Sequence, residues 1–130
     1  MTSLSQWLMV AAGGAIGASA RHGVALLMLS TGWRFPFATL IVNIIGSFLL
    51  GAVYAHVQHQ GLSESVRLFV GVGLLGAFTT FSTFSVEVVQ LVTQGEWGRA
   101  SVNIVLNVGL CVLGVAAAMA LYNFFIIKPN

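Results

Sequence analysis

Four stretches of almost unbroken apolar residue constrain this chain more than any other feature: about residues 4–29, 37–57, 65–92 and 100–125. Each is close to the ~20 residues a helix needs to cross a bilayer. The connections are short. Thr31-Gly-Trp-Arg-Phe-Pro separates the first pair, His56 to Ser63 the second, and Thr93-Gln-Gly-Glu-Trp-Gly-Arg the third, all rich in turn residues. With 58% hydrophobic and 6% charged residues, a 130-residue chain has too little polar side chain to cover itself in water. The reading is an all-α, four-span integral membrane protein, a single transmembrane domain over residues 1–130 with no linker, repeat or low-complexity tract. The N-terminus lacks the basic region of a cleavable signal peptide. Trp7, Trp33, Trp97, Tyr54 and Tyr122 fall near segment ends and read as anchors at the headgroup level.

Several function classes drop out. A net charge of +2 without a Lys/Arg cluster gives nucleic acid or acidic lipid nothing to hold. Cys111 is alone, so there is no internal disulfide. No nucleophile with its base, phosphate loop or zinc motif is present, so the chain does not read as an enzyme. His56 and His59, spaced by three, lack further metal ligands and read as solvated loop residues.

The third segment is the unusual one. Gly71, Gly73 and Gly76 lead into a hydroxyl run, Thr79, Thr80, Ser82, Thr83 and Ser85, with Phe78, Phe81 and Phe84 set into it. Glycines and hydroxyls at membrane depth let a helix open, because side chains can satisfy the freed backbone groups. A break in mid-membrane is therefore expected. Gly13-x-x-x-Gly17 in the first segment and Ser47-x-x-x-Gly51 in the second place small residues one turn apart and allow backbones to approach.

Few residues could carry chemistry. Arg21 is the one base well inside a span; it either lines an ion route or ties down a helix end. Asn43 offers two N–H donors at mid-span with Ser47 one turn on, as an anion ligand or as interhelical glue. Asn103, Asn107 and Cys111, at spacings of four, form a polar stripe on the fourth segment. Phe81 and Phe84 are either core or, through their positive ring edges, weak anion ligands. Glu87 shares a helical face with Thr80 and Thr83; it is a structural hydrogen-bond partner or a proton-coupling carboxylate.

Orientation is barely encoded. Arg67 and Lys128 on one side balance Arg34 and Arg99 on the other, with Arg21 deeper. Without a positive-inside bias, either the chain inserts both ways round, which permits an antiparallel dimer, or a partner fixes its direction. Four helices also enclose little of a pathway, a second reason to expect an oligomer.

The stretches Gly13-Gly-Ala-Ile-Gly-Ala-Ser-Ala-Arg21, Thr39-Leu-Ile-Val-Asn43-Ile-Ile-Gly-Ser47-Phe-Leu-Leu-Gly51 and Gly73-Leu-Leu-Gly76-Ala-Phe-Thr-Thr-Phe81-Ser-Thr-Phe84-Ser resemble the Fluc (CrcB) fluoride channels, over the first three spans and all the loops in order. The resemblance implies a passive, fluoride-selective channel of the bacterial inner membrane. It would export cytoplasmic fluoride through two pores of an antiparallel, dual-topology homodimer that holds a central sodium ion. It also implies site residues. Phe81 and Phe84 match the pore phenylalanines, Asn43 the pore asparagine, and Ser82 and Thr83 hydroxyls beside the pore. Gly76 and Thr79 match the backbone carbonyls that hold sodium, two from each subunit. Arg21 matches a vestibule arginine, and Glu87 the glutamate at the end of the pore region. Departures from the pattern are Ala77 for a glycine, His22 for a tyrosine, and the Asn103, Asn107 and Cys111 stripe where relatives carry tyrosine or serine. The rival readings are a small proton-coupled multidrug exporter, which needs a first-span glutamate that is absent here, and a membrane assembly subunit without transport.

Overall fold

The computed structural model describes residues 1–127, so Lys128 of the charge count lies outside the described residues. Every regular element is helical: α1 (Ser3–Leu29), α2 (Phe37–Gln60), α3 (Glu64–Val66), a π-helical stretch π1 (Arg67–Leu75), α4 (Gly76–Phe78), α5 (Phe81–Thr93) and α6 (Trp97–Ile126). Phe37–Gln60, Glu64–Thr93 and Trp97–Ile126 are each long and apolar enough to cross a membrane. At 27 residues α1 spans about 40 Å. Its Gly, Ala and Ser content together with Arg21 and His22 makes it the least apolar of the four. The protein is a multi-pass, all-helical membrane protein.

The third span is interrupted where the glycine and hydroxyl runs meet. α4 ends at Thr79, whose ψ of 158° is extended, and Thr80 is extended as well (φ −155°, ψ 114°). Thr80 then caps α5, its Oγ1 accepting from the Thr83 N–H at 3.2 Å. The break lets the span change partners. Before it, π1 and α4 pack on α1; after it, α5 packs mainly on α6, which also lies along α2.

Glycine makes this packing possible. A Cβ on Gly17 would sit in the Leu74 carbonyl, one on Gly13 in the Phe69 carbonyl, and one on Gly73 would come 2.7 Å from the Val10 oxygen. The α1 and π1 backbones therefore touch, as small-residue packing in membranes allows. Gly17→Val must push them apart. The expected result is a loss of folded, monodisperse protein on size-exclusion chromatography in detergent.

Two expectations are corrected near the end of α2. The helix runs on to Gln60, so His56 belongs to it and is not a solvated loop residue. His56 Nδ1 lies 2.8 Å from the Tyr122 hydroxyl, and the His59 ring stacks on the Tyr122 ring. Tyr122 is accordingly buried between α6 and α2 instead of standing out as an interface anchor. A phenol inside a helix pair needs a hydrogen-bond partner, and the histidine provides it. Trp7, Trp33, Tyr54 and Trp97 are exposed, as anchors should be.

Candidate anion pathway

A helix broken inside a membrane must find partners for its last carbonyls. Here most come from side chains. Leu75 O accepts from the Thr79 N–H at 3.2 Å and from the Thr79 hydroxyl at 3.1 Å, which also lies 3.5 Å from Gly76 O. Ala77 O accepts from Arg21 Nε at 3.0 Å. Arg21 thus ties down a helix end, where its charge also complements the helix dipole. Ala77, a departure from the family pattern, takes part through its backbone, so the change of side chain leaves this contact possible.

Thr80, between the two half-helices, is held by Asn43. The Asn43 Oδ1 accepts from the Thr80 N–H at 2.7 Å, and Nδ2 donates to the Thr80 carbonyl at 3.0 Å. One amide satisfies both polar groups of the residue that cannot be helical. Asn43 also makes a third bond, from Nδ2 to Asn107 Oδ1 at 3.0 Å, and Asn107 Nδ2 donates onward to Asn103 Oδ1 at 2.7 Å. Asn103 is fully buried and lies beside Glu87, whose Oε1 accepts from the Thr39 hydroxyl. A polar track thus crosses the apolar interior from Thr80 through Asn43, Asn107 and Asn103 to Glu87 and Thr39. Near its end, Asn103 Nδ2 and Glu87 Oε2 are buried without a hydrogen-bond partner among the described residues. These two atoms belong to the neighbouring Asn103 and Glu87 side chains, the one link of the track not closed by a short hydrogen bond.

Two clefts flank Thr80. The first, about 330 Å³, is lined by Asn43, Ser47, Thr79, Thr80, Phe81, Phe84, Asn107 and Cys111, with Val108 and Val112. The Phe81 and Phe84 ring centroids are 5.3 Å apart and tilted by 59°. They differ in burial, Phe84 being 6% and Phe81 76% exposed on a single copy. The second cleft, about 240 Å³, is lined by Arg21, His22, Thr39, Thr80 and Thr83 with small apolar residues. Among the described residues Arg21 hydrogen-bonds through Nε alone, and its guanidinium lines this cleft.

The expected site residues are therefore gathered, with distinctions. Asn43, Phe81, Phe84, Asn107 and Thr79 share the first cleft, and Arg21 and Thr83 the second. Asn103, buried, and Glu87, half-buried, form the end of the track. Ser82 is exposed, turns its hydroxyl to Thr80 at 3.3 Å, and lies outside both clefts. Gly76 is exposed on a single copy. Two further residues belong with them. Thr80 lines both clefts, and Thr39 holds the carboxylate. Thr39 was open to detection, because Thr39, Asn43 and Ser47 repeat at four-residue spacing and mirror Asn103, Asn107 and Cys111 on the helix they face.

Comparison with known proteins relates the chain to one family. The family model described as "CrcB-like protein, Camphor Resistance (CrcB)" matches residues 8–119. A protein of Idiomarina loihiensis named "Fluoride-specific ion channel FluC" is 60% identical over 121 residues, 92% of this chain and 94% of its own. Proteins of the same name are 52% identical in Shewanella halifaxensis (83% of this chain, 88% of theirs) and 47% identical in Shewanella oneidensis (86% and 91%). A match across most of both chains, with the broken span and its asparagine clasp inside it, makes this chain a member of the CrcB family.

Proposed function

We propose that this protein is a passive, fluoride-selective ion channel of the bacterial inner membrane, one channel domain per chain, working as an antiparallel homodimer with two pores. The observation that carries the reading is the broken third span. Its opened backbone is clasped by Asn43 beside a cleft lined by amides, hydroxyls and the rings of Phe81 and Phe84. Fluoride is small and strongly hydrated, so a narrow route must replace water with donors. Both hydrogens of the Asn43 amide are engaged, with the Thr80 carbonyl and Asn107 Oδ1. A passing anion therefore takes one from Asn107 or Thr80 in exchange, which costs little net hydrogen bonding. Exchange of this kind suits conduction, since a site must bind well enough to admit an ion yet release it. The ring edges add a weak attraction of the same character, and Arg21 raises the anion concentration at the second cleft. Asn107 and Asn103, with Ser82, Thr83 and Glu87, are proposed to continue or border the route.

The dimer is supported by what one copy leaves uncovered. Phe81 is mostly exposed and the first cleft lies open, so a second copy is needed to wall it. Sodium fits the same arrangement. The Gly76 and Thr79 carbonyls lie at the C-terminal end of a half-helix, whose partial negative charge and hard oxygens suit an alkali cation. Two such carbonyls from each of two copies would give four oxygens. The ion would hold the copies together and is not carried.

Two measurements test these finer claims. A C-terminal tag probed for accessibility in cells should report both sides of the membrane; a single side for every copy would exclude dual topology. Exhaustive replacement of sodium by N-methylglucamine should lower fluoride flux without any sodium current, and unchanged flux would remove sodium from the account. Growth gives a simpler check, since expression of the chain should restore fluoride tolerance to fluoride-sensitive bacteria.

A further inference from the structure

Beyond Glu87 lies a third polar cavity that neither cleft includes. It is open to the surface, offers about 110 Å³, and is lined by Arg34, Pro36, Glu87, Gln90, Leu91 and Gln94. Water occupies about 30 Å³ per molecule in the liquid, so the space holds a hydrated small ion. Glu87, Gln90 and Gln94, at intervals of three and four, share one face of α5 and step from the half-buried carboxylate to the C-cap of the helix. Arg34 approaches from the loop between α1 and α2. It is exposed, and among the described residues it makes no ion pair; the two salt bridges there are Arg67 with Glu64 and Arg99 with Glu96. The cavity is therefore lined by one cation without an ion pair among the described residues, one carboxylate and two amides; Arg34 also borders a neighbouring cleft with Arg99. It lies where the track from Asn43 through Asn107 and Asn103 to Glu87 runs toward the loop surface.

We propose that Arg34, Gln90 and Gln94 form an outer anion station at the Glu87 end of the route, taking a small hydrated halide. The station rests on the channel reading above. Glu87 alone would repel an anion leaving or entering at this end, and Arg34 offsets that repulsion at the mouth. The Gln90 and Gln94 amides supply N–H donors while the ion exchanges its partners for water. Because Arg34 is solvent-exposed, its influence is screened by salt; the Debye length falls from about 10 Å at 0.1 M to about 3 Å at 1 M.

Fluoride flux from liposomes at low and high ionic strength, set with sodium isethionate, tests this in the full-length chain. Arg34→Gln should lower flux severalfold at low ionic strength, Arg34→Lys should retain it, and the gap should close at high ionic strength. Gln90→Leu combined with Gln94→Leu should lower flux severalfold at both, with an unchanged size-exclusion profile. The station is overturned if Arg34→Gln matches the original chain at low ionic strength, or if its deficit is the same at every ionic strength. Wild-type flux in the double glutamine variant strikes out the amides. No fluoride flux from the original chain overturns the channel reading itself, an outcome distinct from a conducting chain with an inert Arg34.

Discussion

Asn43→Leu is expected to abolish fluoride flux and to cost more stability than any other single substitution in the pathway. The change leaves three groups without their partner: the Thr80 N–H, the Thr80 carbonyl and Asn107 Oδ1. Each buried polar group stripped of its hydrogen bond costs about 1–3 kcal/mol, a large share of the margin by which a small protein stays folded. The leucine result alone cannot separate folding from conduction. Asn43→Ser does so, because the shorter hydroxyl leaves room for water to bridge to Thr80. It should yield a folded protein with a lowered melting temperature and little flux. Near-normal flux in folded Asn43→Ser would reduce the asparagine to a structural clasp.

Phe81→Ile and Phe84→Ile are expected to collapse flux while the protein stays folded. Both substitutions keep an apolar side chain but remove the ring quadrupole, and with it the positive edge an anion can use. If the rings only filled space, an aliphatic replacement would cost modest stability and leave conduction intact. Their stability effects should differ, because Phe84 is buried within one copy and Phe81 is largely exposed there. Phe84→Ile should lower the melting temperature of the protein more than Phe81→Ile. Well-folded single and double variants that conduct normally would leave the phenylalanines as packing.

The four long helical segments, three of them apolar enough to cross a membrane, and the break were legible because each follows from local composition. Apolar length predicts a crossing, and a glycine run meeting a hydroxyl run predicts an opening, which falls at Thr79 and Thr80. The π-helical turns over Arg67–Leu75 were not legible. A shift of backbone bonding by one residue depends on how closely α1 approaches, and that depends on Gly13 and Gly17 some fifty residues away. For Arg21 the alternatives were an ion route or a tied helix end; its bond to the Ala77 carbonyl ties a helix end, while the route remains the proposal that the second cleft, which Arg21 lines, supports. Asn43 and Asn107 each stood out as a polar residue in an apolar helix, but their bond joins residues 64 positions apart and required the tertiary fold. His56, His59 and Tyr122 misled for a related reason. Their residue types suit a loop and an interface, and only the extension of α2 to Gln60 brings them together.

The rival readings meet specific obstacles. A proton-coupled exporter needs a carboxylate free to exchange protons with its substrate, but Glu87 is fastened to Thr39 and set at the end of the asparagine track. α1 contains no acidic residue at all. An assembly subunit without transport would have no use for a clasped helix break with clefts on both sides of it.

Fluoride efflux from liposomes holding the purified protein, followed with a fluoride electrode after valinomycin releases the potassium counter-ion, tests the central claim most directly. The account predicts rapid efflux that begins on valinomycin addition, is absent from protein-free liposomes, and is far slower for chloride under the same gradient. No fluoride efflux from protein that remains folded, or efflux of chloride as fast as fluoride, would contradict it.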